Sequence, residues 1–438
     1  MRIAIIGSGI SGLAVAHRLV DHARVTLFEA ADYFGGHTHT VDVTLPVDGQ
    51  PVRHGVDTGF LVFNERTYPR LIALFSELGV QTSPSDMSFS VQSADPDSKR
   101  HVEWSGTDLR SVFSQKRNLV SPRFLGMLRD LGRFNRLTQS IAATGQEREL
   151  QQSLGDFLRQ HRFGDAFIDW YFLPMVACIW SCPKEQMLQF PVATMIRFCH
   201  NHGLNQVSDR PQWWTVKGGA RHYVDKIVAR VADARLRTPA LGITRHGENG
   251  GVTVRTASGS EHFDRVVLAT HSDQSLALLQ DASAAECATL GAVRYHPNRA
   301  VLHTDTSVLP RNPRAWAAWN YASASQRHAE NHAVCLHYLI NRLQPLPWKQ
   351  PVLVSLNPLG EIPAQHVLGE YRYAHPVFDR AAIAAQPLVA QLQGQRSTYF
   401  CGAWMGYGFH EDGLKAGLAV AQQLLAGIDQ RASHLVAA

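Results

Sequence analysis

Nothing in the 438 residues reads as a bilayer-spanning helix. The longest apolar stretch, Phe167 to Cys182, is short and interrupted by Asp169 and Pro174. The six cysteines include no C-x-x-C pair, and only Cys178 and Cys182 lie close together. That predicts reduced, mostly buried thiols of a cytosolic protein rather than a disulfide framework. No nucleophile elbow and no Ser–His–acid spacing occur, which sets serine-hydrolase chemistry aside. Lysine is missing throughout the interval between Lys226 and Lys349. Charge of either sign is not in large excess: 18% of residues are charged against 45% hydrophobic, an ordinary globular balance, and the net +5 is too mild to predict a nucleic-acid partner. It is compatible with an acidic substrate or an anionic membrane surface. The first residues do not read as a signal peptide, because a glycine turn and Arg18 break their apolar run.

That glycine turn is the most informative stretch present. Arg2-Ile3-Ala4-Ile5-Ile6 has the length and β-branched content of a buried parallel strand, Gly7-Ser8-Gly9-Ile10-Ser11-Gly12 follows, and Leu13 to Val20 reads as a helix. A second apolar strand, Val25 to Phe28, ends on Glu29. Each glycine has a task in a G-x-G-x-x-G turn. Gly7 permits the sharp reversal, Gly9 admits a pyrophosphate close to the backbone, and Gly12 lets the helix pack on the strand. The helix N-terminus offers free N–H groups to phosphates, and Glu29 is spaced to accept hydrogen bonds from a ribose. The ligand is therefore a dinucleotide.

Five residues after Glu29 comes a second glycine turn, Gly35-Gly36-His37-Thr38-His39-Thr40. This resembles the E-x5-G-G extension of the flavoprotein superfamily that includes amine oxidases, carotenoid desaturases and protoporphyrinogen oxidase. The resemblance implies FAD as the cofactor. In those proteins an arginine usually follows the paired glycines, whereas here His37 does.

The remaining pattern predicts an α/β fold: a doubly wound Rossmann-type FAD-binding domain with an inserted α+β substrate domain of mixed sheet and helical cap. The nucleotide domain is assigned to residues 1–60, 205–285 and 395–438, the substrate domain to 61–204 and 286–394, and the cap to about 107–203. Val56 to Phe63, with Gly59 in the turn, reads as a turn and strand returning to the cofactor. A helix follows with Thr67 as its cap, Pro69 in its first turn and Gly79 as its stop. Arg123 to Leu137 places Phe124, Met127, Leu128, Leu131 and Phe134 on one stripe, with arginines elsewhere and Lys116 and Arg117 upstream. Such a basic amphipathic segment, 116–136, is expected to contact anionic lipid on the inner face of a membrane, or else to pack on its own domain.

Near the C-terminus, Tyr399-Phe400-Cys401-Gly402 reads as a strand running into a glycine. Ala403 to Gly413 follows, and then a helix from Leu414 to Leu425. A helix N-terminus behind a glycine turn can stabilise negative charge on a flavin. The stretch resembles the closing motif of the amine-oxidase superfamily, with Ala403-Trp404 where an acid usually stands. Together with Gly-Phe-Leu-Val-Phe-Asn (59–64) and Trp-Ala-Ala-Trp-Asn-Tyr (316–321), the run Gly-Phe-His-Glu-Asp-Gly (408–413) resembles one bacterial amine-oxidase-like flavoprotein family. Members of that family often accompany cyclopropane-fatty-acid-synthase-like methyltransferases.

The resemblance implies an FAD-dependent oxidoreductase that moves hydride from a small-molecule or lipid substrate to the flavin, by dehydrogenating a fatty acyl chain. Oxidation of an amine by oxygen is the alternative, and a non-catalytic lipid-holding flavoprotein a third reading. The cofactor-binding residues are then Gly7, Gly9, Ile10, Ser11, Gly12, Glu29, Gly35, Gly36, His37, Thr38 and Gly59. Ala240 joins them at the adenine, and Gly402, His410, Glu411, Asp412 and Gly413 at the flavin. His410 or Glu411 is the candidate base, with Trp404 beside them. The 22 histidines form three near pairs, His37/His39, His200/His202 and His328/His332, but no third ligand stands at metal-binding spacing, and no metal is expected.

Overall fold

A computed structural model describes residues 1–94, 101–146, 150–206, 210–248, 250–323 and 334–437. Five parallel strands form its first sheet, in the spatial order Asp233–Arg235, Arg24–Phe28, Arg2–Ile6, Arg265–Leu268 and Thr398–Phe400. The first strand is apolar without alternation because both sides of the sheet are covered. Ile3 and Ile5 pack against the helices Ile10–Leu19, Arg221–Val228 and His410–Ala437. Ala4 and Ile6 pack against a three-stranded antiparallel sheet, Gly242–Arg245, Val252–Thr256 and Gly259–Phe263. Full burial of each isoleucine contributes about 1.5–3 kcal/mol.

The second large sheet has seven strands, ordered Val367–Val377, Arg294–His303, Leu353–Leu356, Cys335–Leu339, Trp319–Ala322, Phe89–Ala94 and His101–Ser105. It is mixed because Trp319–Ala322 runs parallel to Phe89–Ala94 while the other pairs are antiparallel. Helices between Leu109 and Asn201 cover one face. Met127, Phe134, Phe172 and Val176 from these helices meet Leu336, Tyr338 and Val354 of the sheet in one core.

Several local expectations need correction. Val56–Phe63 contains the expected turn, but its first residues close an earlier strand. Gln50–Asp57 pairs with Thr40–Val47 in a hairpin the sequence reading missed, and only Phe63–Asn64 is extended afterwards. The Pro69–Leu78 helix does not use Thr67 as its cap; the Thr67 hydroxyl donates to Asn64 Oδ1 instead. The last helix starts at His410, four positions before Leu414, so its first turn contains His410, Glu411 and Asp412. Of the two readings of the Pro122–Thr144 helix, packing on its own domain holds for the apolar stripe: Phe124, Met127 and Phe134 are buried in the cap core.

Candidate active site

Between the two sheets lies a cavity of about 1430 Å³. Its wall includes Gly7, Gly9, Ile10, Ser11, Glu29, Gly35, Gly36, His37, Gly59, Ala240, Gly402, Trp404 and His410. Residues from both glycine turns and from the C-terminal motif therefore share one space. Gly12, Thr38, Glu411, Asp412 and Gly413 stand behind that wall.

The glycine turn is built by close packing. Gly7 has φ +99°, and a Cβ on Gly12 would lie 2.0 Å from the Gly7 carbonyl oxygen. A Cβ on Gly9 would meet no protein atom within 4 Å, because Gly9 borders the cavity. Gly36 lies against Gly9, with 3.1 Å between its built Cβ and the Gly9 Cα, so the two glycine turns form one concave surface. Glu29 Oε2 accepts from the Ser8 amide at 2.9 Å and from the Ser8 hydroxyl at 2.6 Å, while Oε1 accepts from the Ala31 amide at 2.9 Å. The carboxylate is thus fixed at the end of the second strand, near Phe28 and Ala240 in the cavity wall.

His37 occupies a crowded place, 5.2 Å from the His375 ring and 5.3 Å from the Tyr373 ring. Burial, with His375, His271 and His410 nearby, holds its pKa well below 6.5, so the ring is neutral. Behind it, Thr38 Oγ1 meets Tyr223 Oη at 2.5 Å and His410 Nε2 at 2.9 Å. The His410 ring stacks on Phe60 at 3.7 Å, and burial lowers its pKa to about 3. His410 therefore ties the second glycine turn to the start of the last helix.

Two of the residues expected at the flavin have structural work elsewhere. Glu411 accepts from the Arg70 and Leu71 amides, each at 3.0 Å, and so caps the Pro69–Leu78 helix in place of a side chain of its own. Its carboxylate is turned to those amides and lies outside the cavity wall, which removes it as a candidate base. Asp412 Oδ2 accepts from the Tyr407 and Phe409 amides at 3.0 Å each, fixing the loop before the helix; burial raises its pKa to about 6. Trp404 is buried and its indole donates to the Thr270 carbonyl at 3.2 Å. The helices Ile10–Leu19 and His410–Ala437 approach very closely. Built Cβ atoms on Gly413 and Gly417 would lie 2.8 Å from Ile10 Cγ2 and 2.3 Å from the Ser11 carbonyl. Both helix N-termini consequently open on the same cavity.

Beyond the glycine turns the wall becomes apolar, with Leu128, Leu131, Tyr171, Met175, Ile179 and Phe198 among its residues. Among the described residues no lysine lines it, and its only carboxylates are Glu29 and Asp86. Asp86 is held by the Ser88 amide and hydroxyl at 2.7 and 2.9 Å. His202 also lines this part; in the sequence it stood out only as half of a near pair. The described residues contain no group of three or more metal-type ligands, and His328 and His332 lie outside them.

The long cavity, the concave double-glycine turn and the fixed acid at the strand end fit a dinucleotide that reaches from Ala240 to His410. Residues 10–335 match the family described as flavin containing amine oxidoreductase. No curated protein matches the sequence. Among solved structures, the CLA-producing fatty acid isomerase from P. acnes superposes with a TM-score of 0.65 at 15% identity, covering 96% of this chain and 98% of that one. Cyclohexylamine oxidase from Brevibacterium oxydans gives 0.65 at 15% identity, covering 99% of each chain. A putative protoporphyrinogen oxidase from Exiguobacterium sp. gives 0.62 at 17% identity, covering 97% and 98%. With a cavity built for a dinucleotide and most of its length matched, the chain belongs to the flavin-containing amine oxidoreductase family and is an FAD-dependent oxidoreductase.

Proposed function

We propose that this enzyme dehydrogenates a fatty acyl chain. The observation that carries the reading is the apolar section of the cavity. The whole space exceeds the ~300–1,000 Å³ of an ordinary single-ligand pocket, which leaves room for a second, elongated molecule beside the dinucleotide. The two carboxylates of the wall, Glu29 and Asp86, already accept from protein donors, so an ammonium would meet aromatic faces rather than an uncommitted acid there. Bound FAD would supply the two-electron oxidant. The chain's part is to lay a C–H bond of the substrate against the flavin, exclude water, and present the N-terminus of the His410–Ala437 helix to the charge that develops.

Anaerobic mixing is the direct test. Long-chain acyl lipids are expected to bleach the flavin absorbance of the purified protein, and simple primary amines to leave it unchanged. Rapid bleaching by an amine, with peroxide released on admitting air, would replace this reading with amine oxidation.

We further propose that the enzyme meets its lipid at an anionic membrane, at a place shifted from the one the amphipathic stripe predicted. Leu109, Leu119, Val120 and Leu125 are 77, 52, 80 and 44% exposed, among Arg110, Lys116, Arg117 and Arg123. Val112 and Leu128, each three positions beyond one of these leucines, line the cavity. The same short elements therefore supply both an exposed apolar patch with a basic border and part of the cavity wall. Each cation near an anionic surface contributes about 1 kcal/mol, screened by salt. Co-sedimentation with phosphatidylserine-containing vesicles is expected at low salt and is expected to weaken at high salt. The double variant Leu119→Asp, Val120→Asp should bind at least ~10-fold more weakly, a loss of about 1.4 kcal/mol. Equal binding to neutral and anionic vesicles, or no effect of the double variant, would count against the surface.

A further inference from the structure

His202 follows the C-terminal end of the Val192–Asn201 helix and projects into the apolar section of the cavity. Its Nδ1 lies 3.0 Å from the Phe198 carbonyl oxygen. A carbonyl only accepts, so Nδ1 carries the hydrogen and the neutral ring keeps its lone pair on Nε2. No described group bonds Nε2, and the atom is not sealed among the buried, unpartnered ones. It opens on the cavity instead. Phe198 stacks on the imidazole at 4.0 Å and 27°, which fixes the plane of the ring. Phe409, in the loop ahead of the last helix, lies 5.9 Å away and stacks in turn on Phe198. The free lone pair is therefore one aromatic ring from the loop that leads into the His410–Ala437 helix.

We propose that His202 Nε2 is the proton acceptor of the dehydrogenation, an inference that rests on the acyl reading. Removing two hydrogens from neighbouring carbons requires two acceptors. Bound FAD would supply the oxidant for one of them, taking the hydrogen of one C–H bond with both its electrons as hydride. The adjacent C–H gives its proton to Nε2 of His202, its bonding electrons become the second bond of the alkene, and the proton later passes to water. Burial lowers the pKa of His202 to about 4, with the Phe198 carbonyl pulling the other way and no charged side chain contributing. The ring is thus in its accepting form at neutral pH. Such a weak base suits a carbon made acidic by the departure of hydride from its neighbour. Of the other groups in the wall that could accept a proton, His37 and His410 are crowded at the glycine turns, His375 Nδ1 meets Asn298 Nδ2 at 2.9 Å, the His271 side chain accepts from the Gln274 backbone and stacks on Tyr295, and Asp86 accepts from the Ser88 amide and hydroxyl.

The test uses FAD-loaded protein and two readouts. In protein labelled with ¹⁵N-histidine, His202 should keep the Nδ1–H tautomer from pH 6 to 8, and its Nε2 resonance should move on titration with stearate. An Nε2 signal unmoved at stearate levels that saturate the flavin spectral change, or a protonated ring at pH 7, would overturn the inference. The second readout is flavin reduction in His202→Asn, whose amide can still donate to the Phe198 carbonyl but offers only an oxygen to the substrate, and in His202→Gln. Both should retain FAD and the stearate-induced spectral change, and be reduced ~10²–10⁴-fold more slowly than wild type by the acyl lipid that bleaches it. Bleaching at equal rates in wild type and both variants defeats the role of His202 alone. A wild-type enzyme bleached by no acyl lipid defeats the acyl reading, and this inference with it.

Discussion

Gly12→Ala should emerge from purification colourless and less stable, whereas Gly9→Ala should emerge colourless with its apo-protein stability intact. The difference lies in what each new methyl meets. At Gly12 it would stand 2.0 Å from the Gly7 carbonyl oxygen and 3.1 Å from Ala269 Cβ, neither of which can retreat without moving a strand or a helix. Overpacking of this kind costs about 1–3 kcal/mol or more and shifts the turn whose N–H groups face the phosphates. At Gly9 the methyl would meet no protein atom within 4 Å and would occupy cavity instead. Each variant should bind FAD at least ~100-fold more weakly, a loss of about 2.7 kcal/mol. Thermal unfolding with and without added FAD separates the cases, since ligand stabilisation follows RT ln(1 + [L]/Kd). Tight FAD binding by Gly9→Ala would show that the pyrophosphate does not pass over this turn.

The second large effect is expected at Asp57, whose side chain joins three parts of the fold. Asp57 is 1% exposed. Its carboxylate accepts from Thr40 Oγ1 at 2.5 Å, from the Ala220 amide at 2.9 and 3.0 Å, and from Gln344 Nε2 at 2.7 Å. Asp57→Ala strands these donors in the interior at about 1–3 kcal/mol each, so a loss of about 3–5 kcal/mol is expected after partial relaxation. Burial pushes the carboxyl up to about 7 against the pull of those donors. The folded pKa therefore lies above the unfolded value of about 3.9, and the folded state binds more protons between the two. This contribution is full below about pH 4 and is lost as the pH rises through 7. The stability of wild type relative to Asp57→Asn should decline across that window. A constant difference from pH 4 to 7 would show that Asp57 stays ionised throughout.

What the sequence disclosed and what it hid divide along the range of the interactions involved. The first strand, its glycine turn and helix, and the second strand ending on Glu29 were legible because they are set by residues close together in the chain. The Thr40–Val47 and Gln50–Asp57 hairpin was missed because Pro46 faces Pro51 across it and most of its length is only partly buried, so no clean alternation appears. The early start of the last helix was hidden because His-Glu-Asp-Gly reads locally as a loop. Its Glu411 is satisfied by the amides of Arg70 and Leu71, some 340 positions away, a partnership no window of sequence contains. The basic helix is a middle case: its periodicity offered packing on its own domain as one of two readings, and only the cap core shows which face is received there. His202 became visible only once Phe198 and Phe409 closed around it.

The order of strands in the parallel sheet bears on how the chain is made. Arg2–Ile6 sits at the centre, flanked by Arg24–Phe28 and by Arg265–Leu268, and Thr398–Phe400 completes the far edge. One flank of the central strand is available almost at once; the other awaits more than 250 further residues. At about 5–20 residues per second, translation leaves that edge unpaired for roughly 13–50 s. An apolar strand with a bare edge is a template for pairing with other chains. The nascent protein is therefore expected to depend on chaperones during this interval, and to take up its cofactor only after the last helix has left the ribosome.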